Sequence, residues 1–308
     1  MRYLPLVILA LAWEAVSRLN LVSSLALPSL SHVADAWVDL LSDGELLDNG
    51  LVSLYRGAAG LLLAVVVGGA LAAGGANTIN CWIERDRDQL MRRTHNRPLP
   101  QGEIVPARAL AFGIILNVLA FALLASVANL LAATLTLSAT LFYVFVYTLW
   151  LKPRTVQNIV IGGAAGAVPA LVGWAAVRND LAAPAWILFA IVFFWTPAHF
   201  WALALKYRDD YAAAGVPMLP VVHGVELTTR RIAAYATITV ALTFAMTLTN
   251  EVGRVYAIAV FILGTVFVIR AFALVREPSP RRAIQFFGWS NVYLMLVFVA
   301  VAVDAFVR

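Results

Sequence analysis

The stretch Asn77–Pro100, NTINCWIERDRDQLMRRTHNRPLP, sets an unbroken run of charges, Glu84 to Asp88, directly against an apolar segment. If that segment is a helix continuing through the run, Asn80, Glu84 and Asp88 stand at i, i+4 and i+8 on one face, with Asn77 one turn earlier. One amide and two carboxylates then point together. Oxygen ligands at that spacing suit Mg2+, a hard cation that commonly bridges protein carboxylates to substrate phosphates. Arg92, Arg93 and Arg97 follow closely, and guanidinium groups match phosphate oxygens. A second reading is a solvated helix end laced by charges of alternating sign. Asn80, one turn inside the apolar segment, weighs toward a site, because a polar group at that depth is expensive in a membrane.

Working outward, the chain of 308 residues is 62% hydrophobic and only 13% charged. Repeated apolar runs near the ~20 residues that cross a bilayer make it an all-α, polytopic membrane bundle rather than a soluble domain. Apolar length and Gly, Pro and charge punctuation place spans near residues 3–19, 58–82, 106–125, 128–150, 157–177, 183–205, 231–249, 254–273 and 285–306, about nine in all. The first is the weakest, since Glu14 and Arg18 interrupt it. A signal peptide is its competing reading, and no clear small-x-small cleavage site follows.

Most of the basic residues fall in the even-numbered loops, Arg85 to Arg108 in the second, Lys152 and Arg154 in the fourth, Lys206, Arg208, Arg230 and Arg231 in the sixth, Arg270 to Arg282 in the eighth, and the odd loops carry little positive charge. The first loop, with Asp35, Asp39, Asp43, Glu45 and Asp48, is acidic. The positive-inside rule therefore puts the N-terminus and the even loops in the cytoplasm and the C-terminus outside. The same distribution explains the net charge of +5 by membrane orientation, with no nucleic-acid partner. The single cysteine, Cys81, excludes an internal disulfide and any multi-cysteine metal centre.

A second constellation, WTPAHFWALALKYRDDYAAAGVPMLPVVHG, runs from Trp195 to Gly224. Lys206 and Asp210 are again i, i+4, with Asp209 beside them and His199 nearly two turns deeper. The sequels echo each other: Pro98-Leu99-Pro100 leads to Gly102-Glu103, and Met218-Leu219-Pro220 leads to Gly224 and Glu226. Such a weak repeat, four helices apart, places a site between two related halves of a membrane bundle. Ordinary juxtamembrane charges are the plainer alternative. His199 either meets a substrate or hydrogen-bonds a neighbouring helix; His95 and His223 are loop residues. Trp174, Trp195 and Trp201 read as packing or interface anchors, and Gly162, Gly163 and Gly166 as points of close helix approach.

Three blocks now carry a resemblance to a known family: the N-x-x-x-[D/E]-x-x-x-D run at Asn80, Glu84 and Asp88, TPAHFWALALKYRDDYAAAGVPMLPVV, and YTLWLKPRTVQNIVIGGAAGAVPALVGW from Tyr147. Together they resemble the UbiA superfamily of intramembrane prenyltransferases, and within it the branch that farnesylates heme. The resemblance runs from about Gly68 onward, giving a prenyltransferase domain over 66–308. It implies a helical bundle around a cavity in the cell membrane, with two polar motifs at the cytoplasmic mouth. It also implies Mg2+ held by Asn80, Glu84, Asp88 and Asp210. Lys206, Lys152, Arg154, Asp209, Arg92, Arg93 and Arg97 would then bind farnesyl diphosphate, and Tyr147 would face the allylic cation. Heme B is the implied acceptor, His199 a candidate contact to it, and heme-copper oxidase assembly machinery the implied destination of the product. Glu84 departs from the Asp usual at its position in the family.

Residues 1–65 do not share this resemblance. LPSLSHVADAWVDLLSDGELLDNGLVSLYRGAAG looks like the start of an ABC-transporter permease, supplying a first span and an external amphipathic stretch. The family's Lys-Pro-Arg entry to its first helix is missing, which leaves Arg2 as the basic residue at that end and implies weakened diphosphate binding. A transport permease is the rival reading of the whole chain, but it requires a cytoplasmic E-A-A-x-x-x-G coupling loop, and no convincing one follows residue 65. A quinone or chlorophyll precursor is the rival acceptor; the PAHFWALAL block favours heme.

Overall fold

The computed structural model describes residues 11, 13–19, 28–42 and 45–307. Contacts divide the chain into two units, Met1–Gly60 and Leu61–Arg308. In the first unit, helix α1 (Leu30–Ser42) begins at Ser29, whose hydroxyl accepts from the His32 N–H at 3.2 Å and so fills a free donor of the first turn. The Glu14 carboxylate accepts from the Ser31 hydroxyl at 2.7 Å and from Arg18 Nε at 2.7 Å. The span expected near residues 3–19 and the expected role of Arg2 fall largely outside the described residues.

The second unit is helical, and eight helices among the described residues are long and apolar enough to cross a membrane. They correspond one for one to the expected spans from 58–82 onward. Helix α2 (Glu45–Asp88) runs without interruption through the charged run, so the expected face of Asn80, Glu84 and Asp88 forms. Helix α3 (Pro106–Val127) opens with proline, whose missing N–H costs nothing there. Asn129 caps α4 (Leu130–Leu141), accepting from the Ala132 N–H and donating to the Ala175 carbonyl at 2.6 Å. That side chain thereby ties the start of α4 to the end of α5 (Asn158–Arg178).

Between them, α4 passes directly into a π-helical stretch, Phe142–Leu151. Helix α6 (Ala183–Lys206) packs against α5, α9 (Gly224–Ala245) and α11 (Pro280–Val307). The main core includes Ile232, Tyr256, Val260, Phe267, Phe286 and Tyr293, with α10 (Arg254–Arg276) supplying three of them. Phe112, Ile114, Ile115, Phe261 and Ile262 face outward, as helices solvated by lipid require.

Two local expectations change. Tyr207, at φ −103° and ψ 28°, ends α6, and a separate short helix α7 (Arg208–Ala213) follows before α8 (Leu219–Val222). Lys206 and Asp210 therefore do not share one continuous helical face. The seventh expected span starts earlier, at Gly224 rather than near 231, so Arg230 and Arg231 sit on α9 itself.

Candidate active site

Asn80, Glu84 and Asp88 are 5%, 5% and 4% exposed. This burial removes the reading of a solvated helix end. Each of the three has a specific partner. Glu84 Oε2 accepts from Lys152 Nζ at 2.6 Å, and Asp88 Oδ2 from Arg97 Nη1 at 2.7 Å. Thr148 Oγ1 lies 3.0 Å from Asn80 Oδ1 and 2.9 Å from the Tyr143 carbonyl, so its single proton is shared between them.

These partners come from two local devices. After α2 the chain doubles back: Thr94 Oγ1 donates to the Asp88 carbonyl, Gln89 to the Pro100 carbonyl and Gln101 to the His95 carbonyl. The folded strap returns Arg97 to Asp88 nine positions after it. Half-burial works against the Arg97 charge, but the hydrogen bond and negative charge of Asp88 more than offset it and hold the guanidinium above its usual value. The other device is the π stretch, whose wide turns bring Tyr143, Tyr147 and Lys152 to one cavity.

That cavity measures about 640 Å3. Its polar mouth holds Asn77, Asn80, Glu84, Asp88, Arg97 and Lys152, with Arg87 and Arg93 beside them. Farther along it is lined by Val65, Gly69, Ala72, Ala139, Val168 and Val172. Val65 and Asp88 both border it, a rise of about 35 Å along α2. Among the described residues no three His, Cys, Asp or Glu side chains converge on one point. The mouth instead offers two carboxylates and side-chain amides from one helix face. That donor set fits Mg2+, which keeps waters and takes its remaining ligands from phosphate.

Residues 49–298 match the UbiA prenyltransferase family. The chain belongs to that family. The match begins ahead of Gly68, where the motif resemblance starts. A relative from Gloeobacter violaceus named protoheme IX farnesyltransferase is 51% identical over 80% of this chain and 81% of its own length. One from Nostoc sp. with the same name is 52% identical over 80% and 78%, and one from Frankia alni 48% identical over 85% and 90%. Among solved structures, a digeranylgeranylglyceryl phosphate synthase superposes with TM-score 0.66 at 21% identity, over 84% of this chain and 94% of that one. A UbiA homologue from Archaeoglobus fulgidus bound to DMAPP and Mg2+ superposes with TM-score 0.56 at 19% identity, over 79% and 88%. These structures share the fold of a multi-pass, all-helical membrane prenyltransferase.

Within this UbiA fold, the residues expected from sequence separate into two groups. Asn80, Glu84, Asp88, Arg93, Arg97, Lys152 and Tyr147 border the cavity. Arg92, Arg154, His199, Lys206, Asp209 and Asp210 do not border it. Arg92 is exposed. Arg154 donates to the Leu149 and Trp150 carbonyls at 3.1 and 3.3 Å, so it closes the end of the π stretch. Lys206 is exposed over the Tyr207 ring, and Asp209 is exposed on α7. Asp210, expected as a metal ligand, is separated from Lys206's helix by the break at Tyr207; Tyr211, Val216 and Met218 reach the cavity from that segment. His199 stacks between Trp195 and Phe287 at 4.2 Å from each ring. Ser290 gives its proton to the Phe287 carbonyl, so His199 Nδ1–H donates to Ser290 Oγ at 2.7 Å. This is the helix-packing alternative for His199.

Sequence reasoning missed Thr148, Tyr143 and Tyr211. Thr148 and Tyr143, polar groups inside an apolar run, were a signal, since such groups in a span need partners; Tyr211, beyond the span on α7, gave none. Their direction depended on the π geometry and on the break at Tyr207.

Proposed function

We propose that this chain transfers the farnesyl group of farnesyl diphosphate to a vinyl group of heme B, with addition of water, giving heme O for heme-copper oxidases. The observation that carries the reading is the two-ended cavity, with cations and carboxylates at its mouth and small apolar side chains along its length. A prenyl diphosphate has that same division of polarity. The names of relatives about half identical to this chain support farnesyl as the donor group and heme as the acceptor.

Arg97 and Lys152, already held beside Asp88 and Glu84, would meet the phosphate oxygens together with Arg93, so these cations are placed before the substrate enters. Asn80, Glu84 and Asp88 would hold Mg2+, which when bound neutralises charge on the departing diphosphate. The C–O bond breaks with its electron pair leaving on the diphosphate. Tyr143 and Tyr147, stacked at 5.3 Å, turn ring surface to the allylic cation. The apolar walls keep water from it. The vinyl group's terminal carbon forms the new C–C bond, and the cation left beside the pyrrole takes water and loses a proton.

The basic loops support a cytoplasmic mouth and an external C-terminus in the cell membrane. Residues 1–65 are read as a permease-like segment preceding the prenyltransferase domain. The apolar product suits direct handover to heme-copper oxidase assembly machinery. Membranes holding this chain, given heme B and farnesyl diphosphate, should yield a heme heavier by one farnesyl group plus water, read by mass spectrometry. A prenylated quinone precursor with unchanged heme would overturn the acceptor.

A further inference from the structure

A second cavity, of about 180 Å3, opens at the same end of the bundle as the active-site mouth. The two cavities are lined by neighbouring positions of the chain. Met218 borders the first and Leu219 the second; Ile159 borders the first, and Val156 and Gln157 the second. The polar lining of the second cavity is Gln157, Trp201, His223, Arg231 and Tyr235, and among the described residues no Asp or Glu borders it.

Trp201 is 3% exposed, and its Nε1–H has no hydrogen-bond partner. Gln157, His223 and Arg231 are exposed, and among the described residues their side chains make no hydrogen bond or ion pair, which leaves them free to turn to a ligand. The neighbouring Arg230, by contrast, is taken by Glu226 at 2.7 Å. An indole N–H and a guanidinium can only donate, and the amide, imidazole and phenol can each donate as well. Donors gathered around one hollow, with no carboxylate among them, complement an oxyanion. A buried N–H without a partner is costly until such a group arrives.

We propose that this cavity binds a carboxylate or phosphate group, with Arg231 supplying the charge and Trp201 the enclosed hydrogen bond. Two molecules at this membrane face carry that chemistry. One is the porphyrin acceptor, whose carboxylate arm would anchor here while a ring edge enters the neighbouring cavity; this source rests on the function proposed above. The other is the phosphate of an anionic lipid.

The test uses the full chain in lipid nanodiscs, as wild type, Arg231→Gln and Trp201→Phe. Arg231 is exposed, so its replacement leaves packing intact, and unchanged melting temperatures would verify folding. Heme B and its dimethyl ester are titrated by absorbance, phosphatidylglycerol retention is read by native mass spectrometry, and farnesyl transfer is assayed in parallel. If the porphyrin is the source, wild type binds the diacid about tenfold more tightly than the diester, and both variants lose that preference. If the lipid is the source, diacid and diester bind alike, and the variants retain less phosphatidylglycerol than wild type. Either result supports the site. Variants indistinguishable from wild type toward all three ligands would overturn it. Arg231-dependent binding in a protein that forms no farnesylated heme would sink the acceptor assignment while leaving the oxyanion site standing.

Discussion

At the scale of single residues, the candidate site consists of three buried side chains and the three groups that hold them. Glu84 and Asp88 are carboxylates removed from water, and such groups are tolerable only when paired and hydrogen-bonded, as they are by Lys152 and Arg97. Asp88→Asn and Asn80→Ala should each abolish turnover while the protein remains in the membrane, since each removes a Mg2+ oxygen or its charge; near-normal heme O formation by either variant would refute the metal assignment. Thr148→Val keeps the volume of the side chain but removes the donor to Asn80 Oδ1. It should lower kcat/KM for farnesyl diphosphate by about tenfold, the size of one lost buried hydrogen bond, with little change in melting temperature. Lys206→Ala alters an exposed side chain away from the cavity and should leave turnover within about twofold of wild type. A large, selective loss of farnesyl diphosphate binding in that variant would restore Lys206 to the diphosphate site. The i, i+4, i+8 face was legible because α2 is one unbroken helix; the i, i+4 spacing of Lys206 and Asp210 does not make one face, because α6 ends at Tyr207 between them.

At the scale of elements, the π stretch Phe142–Leu151 shapes the site most. Tyr147 fits because Gly162 on α5 has no side chain: a Cβ there would stand 2.2 Å from the Tyr147 ring. Gly162→Ala should therefore push the ring into the cavity and raise KM for farnesyl diphosphate several-fold, with a melting temperature only modestly lowered. Unchanged kinetics would show that the ring is free to move aside. At the opposite membrane face, the Asp304 carboxylate near the end of α11 accepts from the backbone N–H groups of Gly253 and Tyr256, at the start of α10. Asp304→Ala should destabilise the protein by about 1–2 kcal/mol, the range of a lost helix N-cap, seen as a lower unfolding temperature in detergent with the active site's kinetics preserved. The spans themselves were readable from length and polarity. Neither the π turns nor the Asp304 cap has a periodic signature, since each is selected by a partner on another helix.

At the scale of the whole molecule, orientation is the next property to test. In a Cys81→Ser background, Asp180→Cys in the α5–α6 turn should react with a membrane-impermeant thiol reagent applied to intact cells, whereas Glu103→Cys in the strap should react only after permeabilisation. The reverse pattern would invert the proposed topology and move the active-site mouth outside. The sequence by itself determined that this is a multi-span helical membrane protein, which helix face carries Asn80, Glu84 and Asp88, and which family it resembles. Those properties follow from hydrophobic length and from helical periodicity, both local along the chain. Only the tertiary structure decided that Thr148, Lys152 and Arg97 hold those three side chains, that His199 packs against Ser290, and that Lys206 and Asp210 stand outside the cavity. Thr148 and Lys152 reach α2 across 68 positions of sequence. Such a pairing depends on how two helices rotate and dock against each other, and helix rotation is set by packing across the bundle rather than by the pattern of either helix alone.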